Sequence, residues 1–139
     1  MSTLATFNRQ LDAFGKKVEQ SALDRFRAMI TALADELVNR TPIDTSRART
    51  NWQSTVGVPA SAEVPFVEGS YGSTAAQARK IAMASAAAAA QSVRLGNKAY
   101  LTNCVPYIRT LNGGSSSQAP RNFVDHAVDA AKLRAGSES

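Results

Sequence analysis

Apolar and polar side chains alternate over the first 40 residues with the period of an α-helix. The apolar positions take nine steps across 33 residues, close to the helical repeat of about 3.6 residues. They are Leu4, Phe7, Leu11, Phe14, Val18, Ala22, Phe26, Met29, Leu33 and Leu37. Gly15 costs the helix about 1 kcal/mol relative to alanine, and the segment that begins at Ser21 has the form of a capping box. We therefore predict a helical arm over residues 1–40, with a break or bend between Phe14 and Ser21.

The pattern changes at the end of this helix. Pro42 ends the helix because it disfavours helical geometry at Thr41 and lacks a backbone N–H. The polar, basic segment 41–49 then predicts a loop. Apolar positions alternate with polar ones from Asn51 to Val58, which predicts a strand, and residues 99–103 predict a second strand.

Alanine dominates the segment from Thr74 to Val93 and predicts a second long helix, because alanine loses no side-chain entropy in a helix. A short helical turn is predicted over residues 105–111. Pro120 is expected in the first turn of a last helix, and residues 136–139 are expected to fray.

These elements predict a single domain, 1–139, with an α+β fold. The length of 139 residues suits one domain, and a hydrophobic content of 44% allows a core. We expect the long N-terminal helix and the alanine-rich helix to pack on a small, mostly antiparallel sheet, with a C-terminal helix beside them. Residues 41–135 form the α+β body in this prediction.

Composition indicates the environment in which the chain folds. No apolar run reaches the roughly 18 residues that a membrane helix needs, and the N-terminus lacks the basic start of a secretion signal. Cys104 is the only cysteine, so an internal disulfide is excluded. We expect a protein that folds in a reducing cytoplasm and does not contact a membrane.

Positive charge is concentrated in one region, although the net charge is only +5. Residues 1–39 carry five basic and five acidic side chains, whereas residues 79–121 contain no acidic residue. The basic side chains there are Arg79, Lys80, Arg94, Lys98, Arg109 and Arg121. Such a region suits nucleic acid or an acidic protein surface. A small basic accessory protein that binds nucleic acid is therefore the alternative function.

The residue types needed for catalysis or metal binding are scarce. His126 is the only histidine, and zinc sites usually need several His and Cys ligands. Cys104 lacks the local sequence of a known nucleophile. Asp35 and Glu36 are adjacent, and adjacent helix positions do not face each other. We predict neither an enzyme nor a cofactor or metal site.

Three stretches are more specific than the rest. The first runs from Arg40 to Trp52, where Asp44 and Thr45 can bond nearby backbone N–H groups and fix the turn. Trp52 is expected to hold its strand in the core. The second, residues 100–107, is a strand that runs into a proline turn between two tyrosines. The third is a Gly/Ser loop that leads into the terminal helix.

In this order, the three stretches resemble the neck or tail-completion proteins of tailed bacteriophages. That family carries a helix ending in Thr-Pro-(Val/Ile)-Asp-Thr-Gly, then Arg and Trp. A Tyr-(Leu/Ile)-x-Asn-x-x-Pro-Tyr segment, a Gly/Ser loop with Ala-Pro and a closing helix follow. The matching positions are Thr41, Pro42, Ile43, Asp44, Thr45, Arg49, Trp52, Tyr100, Leu101, Asn103, Pro106, Tyr107, Ser117, Gln118, Ala119 and Pro120.

The resemblance implies a structural virion protein of the head–tail junction, made in the host bacterial cytoplasm. It implies self-assembly into a ring of about six or twelve copies, which joins or closes the upper end of the tail. Its other expected partners are the connector, stopper, tail terminator or tail tube, with packaged DNA nearby. Two loops, 59–72 and 113–120, are expected to order on contact. The expected interface residues are Gly113, Gly114, Ser115, Ser116, Ser117 and Gln118.

Two positions depart from the family pattern. Ser46 stands where the family usually has glycine, which predicts different backbone angles in that turn. Asn112 stands where an acidic residue is common, so an ion pair at this position is in doubt.

Overall fold

The computed structural model describes residues 3–41, 46–65, 74–113 and 122–137. Across these ranges the chain forms five helices and one two-stranded antiparallel sheet, which confirms the predicted α+β class. In order they are α1 (Thr3–Arg40), α2 (Arg47–Thr50), β1 (Trp52–Val56), α3 (Ala75–Ser92), β2 (Ala99–Asn103), α4 (Ile108–Asn112) and α5 (Phe123–Ser137). Within the described ranges, no helix is both long and apolar enough to cross a membrane.

Of the break or bend predicted between Phe14 and Ser21, the break is wrong, because α1 is one helix of 38 residues. A side chain added at Gly15 would meet no atom within 4 Å, so this position lies on open helix surface. Asp24 accepts a hydrogen bond from Gln20 Nε2 at 2.8 Å, a spacing of four residues that is typical of a helix interior. The cost of one glycine is therefore too small to interrupt α1.

The core lies where the second half of α1 packs against α3, α5 and the sheet. Around Trp52, the buried residues of one cluster are Leu37, Val38, Ala82, Phe123 and Ala127. A second cluster joins Ile30 and Ala34 of α1 to alanines of α3 and to Val93. Small side chains on α3 and α5 let these helices approach α1 closely, so alanine fills much of this core.

The two strands pair with Trp52 opposite Asn103 and Val56 opposite Ala99. Ser85 of α3 accepts a hydrogen bond from the backbone N–H of Ser54 at 2.9 Å and donates one to its carbonyl at 3.2 Å. One hydroxyl on α3 therefore satisfies both backbone groups of Ser54.

Several predicted boundaries differ from the observed ones. The first strand is shorter than residues 51–58, because Asn51 turns its side chain to α2 and Gly57 adopts a positive φ of 94°. The predicted loop 41–49 contains the start of α2. The turn predicted over 105–111 is helical from Ile108, and the last helix begins at Phe123 rather than Pro120. That helix also includes residues 136 and 137 of the predicted tail.

Candidate functional site

Thr41 connects the end of α1 to the start of β1. Its hydroxyl donates a hydrogen bond to the carbonyl of Leu37 at 2.6 Å and accepts one from Trp52 Nε1 at 2.8 Å. Both Thr41 and Trp52 are buried. A buried indole N–H needs such an acceptor, so Thr41 and Trp52 depend on each other.

Arg49 closes the C-terminal end of α1. Its Nε donates to the carbonyl of Thr41 at 2.9 Å, and its Nη2 donates to the carbonyl of Asn39 at 3.2 Å. A cation at this end of a helix also complements the helix dipole. Burial, and then the charge of Arg79, hold the pKa of the Arg49 guanidinium below its ordinary value.

Asn103 ties the second strand to α2. Its Nδ2 donates to the carbonyl of Ala48 at 2.8 Å, and its Oδ1 accepts from the backbone N–H of Val105 at 3.1 Å. Asn103 also lies opposite Trp52 in the sheet. We call Thr41, Arg49, Trp52 and Asn103 the junction network, because their bonds and this strand pairing join α1, α2, β1 and β2.

Tyr107 contacts Arg47 of α2. Its ring lies under the guanidinium of Arg47, with 5.5 Å from Cζ to the ring centroid. Arg47 in turn binds both carboxylate oxygens of Glu63, at 2.9 Å each, in a fork-shaped pair. These contacts connect the turn after β2 to the segment after β1.

Sequence reasoning missed the importance of Asn51. This side chain is fully buried, donates to the carbonyls of Arg47 and Val64 at 2.9 and 3.2 Å, and accepts from the Val64 N–H at 2.6 Å. The segment that follows β1 is further held by Gln53, which donates to the Ala62 carbonyl at 2.8 Å. An asparagine directly before the core tryptophan was the available signal, since it lies at the start of a predicted strand.

Asn112 connects the end of α4 to the start of α5. Its Oδ1 accepts from the N–H of Val124 at 3.0 Å, and its carbonyl accepts from the N–H of Asn122 at 2.7 Å. Asn122 adopts a φ of 61°, a conformation that asparagine tolerates. Asn112 therefore supplies the capping acceptor of α5, and an aspartate at this position would offer the same acceptor.

The remaining motif residues are spread more widely. Tyr100 is half-buried and pairs with Thr55 in the sheet, and Pro106 is exposed. Ser46 is buried and has ordinary helical angles, with φ −82° and ψ 0°, so a glycine is not required there. Gly113 is exposed, and its N–H donates to the Arg109 carbonyl at 3.0 Å. The predicted site residues outside the described ranges are Pro42, Asp44, Thr45, Gly114, Ser115, Ser116, Ser117, Gln118, Ala119 and Pro120.

An ionic cluster near the junction network joins three helices, and its Arg79 is the charge that acts on Arg49. Asp35 of α1 pairs with Arg79 of α3 and, at 2.8 Å, with Arg134 of α5. Glu36 lies 3.3 Å from the same Arg134. The hydrogen bond to Asp35 raises the pKa of Arg134. The carboxylates at 35 and 36 are therefore both engaged in binding arginines.

Some basic side chains of the region 79–121 bind other groups of the same chain. Arg79 is bound by Asp35, and the guanidinium of Arg94 donates to the carbonyl of Val93 at 3.1 Å at the end of α3. Cys104 is half-buried, with its Sγ 3.5 Å from the carbonyl of Ala60, and His126 is exposed on α5. In the part of the chain that the structure describes, no three His, Cys, Asp or Glu residues lie close enough to hold a metal ion.

Comparison of the chain with protein-family models, with curated proteins and with solved structures finds no match.

Proposed function

We propose that this chain is a structural protein of the bacteriophage head–tail junction, a neck or tail-completion protein. It assembles with copies of itself into a ring that joins the tail to the head or closes the upper end of the tail. It acts through contacts between subunits and rings rather than through catalysis.

The junction network is the observation that supports this proposal most strongly. The motif residues Thr41, Arg49, Trp52 and Asn103 are far apart in sequence, yet they are linked by hydrogen bonds and strand pairing. A chance match of short motifs gives no reason for such a set to be mutually dependent. A shared fold does, because removing one partner leaves another buried polar group without its bond.

The two residues that flank the Gly/Ser segment support a ring protein that presents loops. Asn112 and Asn122 are directly hydrogen-bonded, so the two residues that flank the segment 113–121 lie side by side. Loops commonly carry binding contacts, because they tolerate change better than the core does. We propose that this loop contacts the neighbouring ring.

Removal of the gene from the phage or prophage that encodes the chain tests the proposal. Electron microscopy of the lysate should then show filled heads and tails that are not joined, or tails with an unfinished upper end. The wild-type gene supplied in trans should restore tailed particles. Normal yields of infectious, tailed particles without the gene would overturn the proposal.

The nucleic-acid alternative predicts a different result with purified protein. Binding to duplex DNA through the basic side chains would weaken steeply as salt rises, because counterions are released. Tight, salt-dependent DNA binding together with normally tailed particles from the deletion would favour this alternative.

A further inference from the structure

The first half of α1 projects away from the body. Every side chain from residue 3 to residue 22 is exposed, whereas the first fully buried residue of the helix is Ile30. Twenty helical residues span about 30 Å. We call residues 3–22 the projecting segment.

The projecting segment carries a row of large apolar side chains that no described part of the chain covers. These are between 51% and 68% exposed, which is high for side chains of this kind. They are Leu4, Phe7, Leu11, Phe14 and Val18, and we call them the seam. Successive members are spaced by three, four, three and four residues, the a and d positions of a heptad repeat.

The shape of the seam differs from that of the buried half of α1. From Ile30 to Val38 the buried face is wide, because it also includes Ala32, Ala34 and Leu37. The seam uses only two positions in each heptad. A narrow seam is typical of helices that pack along one another, whereas a wide face is typical of a helix on a globular core. The seam therefore matches another helix rather than a flat protein surface or a membrane.

The geometry points to a second copy of this chain as the partner, and we propose that projecting segments pack together along their seams. Asn8, Gln10 and Gly15 flank the seam without charge, which leaves Lys17 as its charged neighbour. The projecting segment as a whole has three basic and two acidic residues. Nothing in this pattern repels an identical helix or selects an oppositely charged partner.

The area is sufficient for a specific pair. A large apolar side chain that is fully covered loses about 100 Å² of accessible surface. The ten seam side chains of two copies would together remove about 1,000 Å² from water, which is near the lower limit for a biological interface.

Helix stability gives a second reason for a partner. The first turn of α1 contains no acidic residue, and Gly15 lies in the middle of the projecting segment. A helical segment that packs on nothing depends on its intrinsic propensity, which glycine lowers. Packing along the seam would stabilise the helix, so helix content should rise as copies associate.

This inference deepens the proposed role and rests on it only for the expectation that the chain self-assembles. The test uses full-length purified protein rather than particles. Failure of the inference and failure of the proposed function therefore give different results: a protein that never associates overturns the former, and tailed particles without the gene overturn the latter.

The experiment compares the wild type with two double variants by sedimentation velocity and circular dichroism over a wide range of protein concentration. Phe7→Ser with Phe14→Ser removes two seam side chains. Arg9→Ser with Ala13→Ser alters the opposite side of the same helix and is the control. Serine and phenylalanine have similar helix propensities, so the seam variant changes packing more than intrinsic helicity.

We expect the wild type and the control to associate and to gain helix with concentration. The seam variant should associate at least about 100-fold more weakly, since each pair loses four buried aromatic rings. Trp52 fluorescence during denaturation reports the body, and its midpoint should be the same in all three proteins extrapolated to low concentration. A wild type that stays monomeric throughout, or a seam variant that associates as tightly as the control, would overturn the inference.

Discussion

The indole N–H of Trp52 and the hydroxyl of Thr41 form a buried hydrogen bond of 2.8 Å between the first strand and the end of the long helix. The same hydroxyl donates to the carbonyl of Leu37, so its hydrogen and one lone pair are both used. Thr41 is therefore the point at which the helix end and the core tryptophan fix each other.

Replacement of Thr41 by valine should lower the free energy of unfolding by about 1–3 kcal/mol. Valine keeps the shape but leaves the Trp52 N–H buried without an acceptor. Urea denaturation followed by Trp52 fluorescence measures the change. Thr41→Ser keeps the hydroxyl and should cost clearly less. Equal losses for valine and serine would mean that the methyl group contributes as much as the hydrogen bond, and a valine variant as stable as the wild type would contradict the role of the bond.

Replacement of Asn51 by leucine should also destabilise the protein by about 1–3 kcal/mol, because the Val64 N–H loses its acceptor in a buried site. The segment 59–65 should then become more sensitive to proteolysis. Gln53→Ala removes one exposed bond to the same segment and is the matched control. Cleavage that rises equally in both variants would contradict a special role for Asn51.

Replacement of Asp35 by asparagine should have a small effect that depends on salt. Arg79 and Arg134 both bind this carboxylate, but the pairs are only partly shielded from solvent. We expect a loss of about 1 kcal/mol at low salt, and less at about 1 M salt, where ionic attraction is screened. Asp12→Asn, which breaks the exposed pair with Lys16, should change stability less. A loss at Asp35 that does not respond to salt would show that its hydrogen bonds dominate.

Deletion of Ser115 to Ser117 should leave the body folded but prevent tails from joining heads. Both ends of this loop are held at Asn112 and Asn122, so a shorter loop can still be closed. Circular dichroism checks folding, and particle yield in a phage lacking its own copy checks function. A control in which the three serines become glycines keeps the loop length. Full infectivity of the deletion variant would contradict the role of this loop as a contact.

The helices and strands could be predicted from the sequence, but what packs against each of them could not. The helical period of α1 is visible along its whole length, but the same apolar spacing covers a buried half around Ile30 and an exposed half around Phe14. Periodicity identifies a face and does not say what covers it. The body half has partners in α3 and α5, which only the tertiary structure reveals.

The burial of polar residues also could not be predicted from the sequence. Asparagine is usually found at the surface. Asn51 is nevertheless fully buried, because three hydrogen bonds offset its desolvation. The four-residue helix α2 was predicted as a loop for a related reason. Its end is held by Thr50, whose hydroxyl donates to the Ser46 carbonyl at 2.7 Å, and no apolar periodicity marks so short a helix.

The central claim is that the chain is part of the ring at the head–tail junction. A cryo-electron microscopy reconstruction of intact particles from the phage that encodes it tests this most directly. The proposal predicts a closed ring at the junction whose subunit density fits the 38-residue helix α1 packed against α3, α5 and the two-stranded sheet. A fully interpreted junction without density for this chain would contradict it.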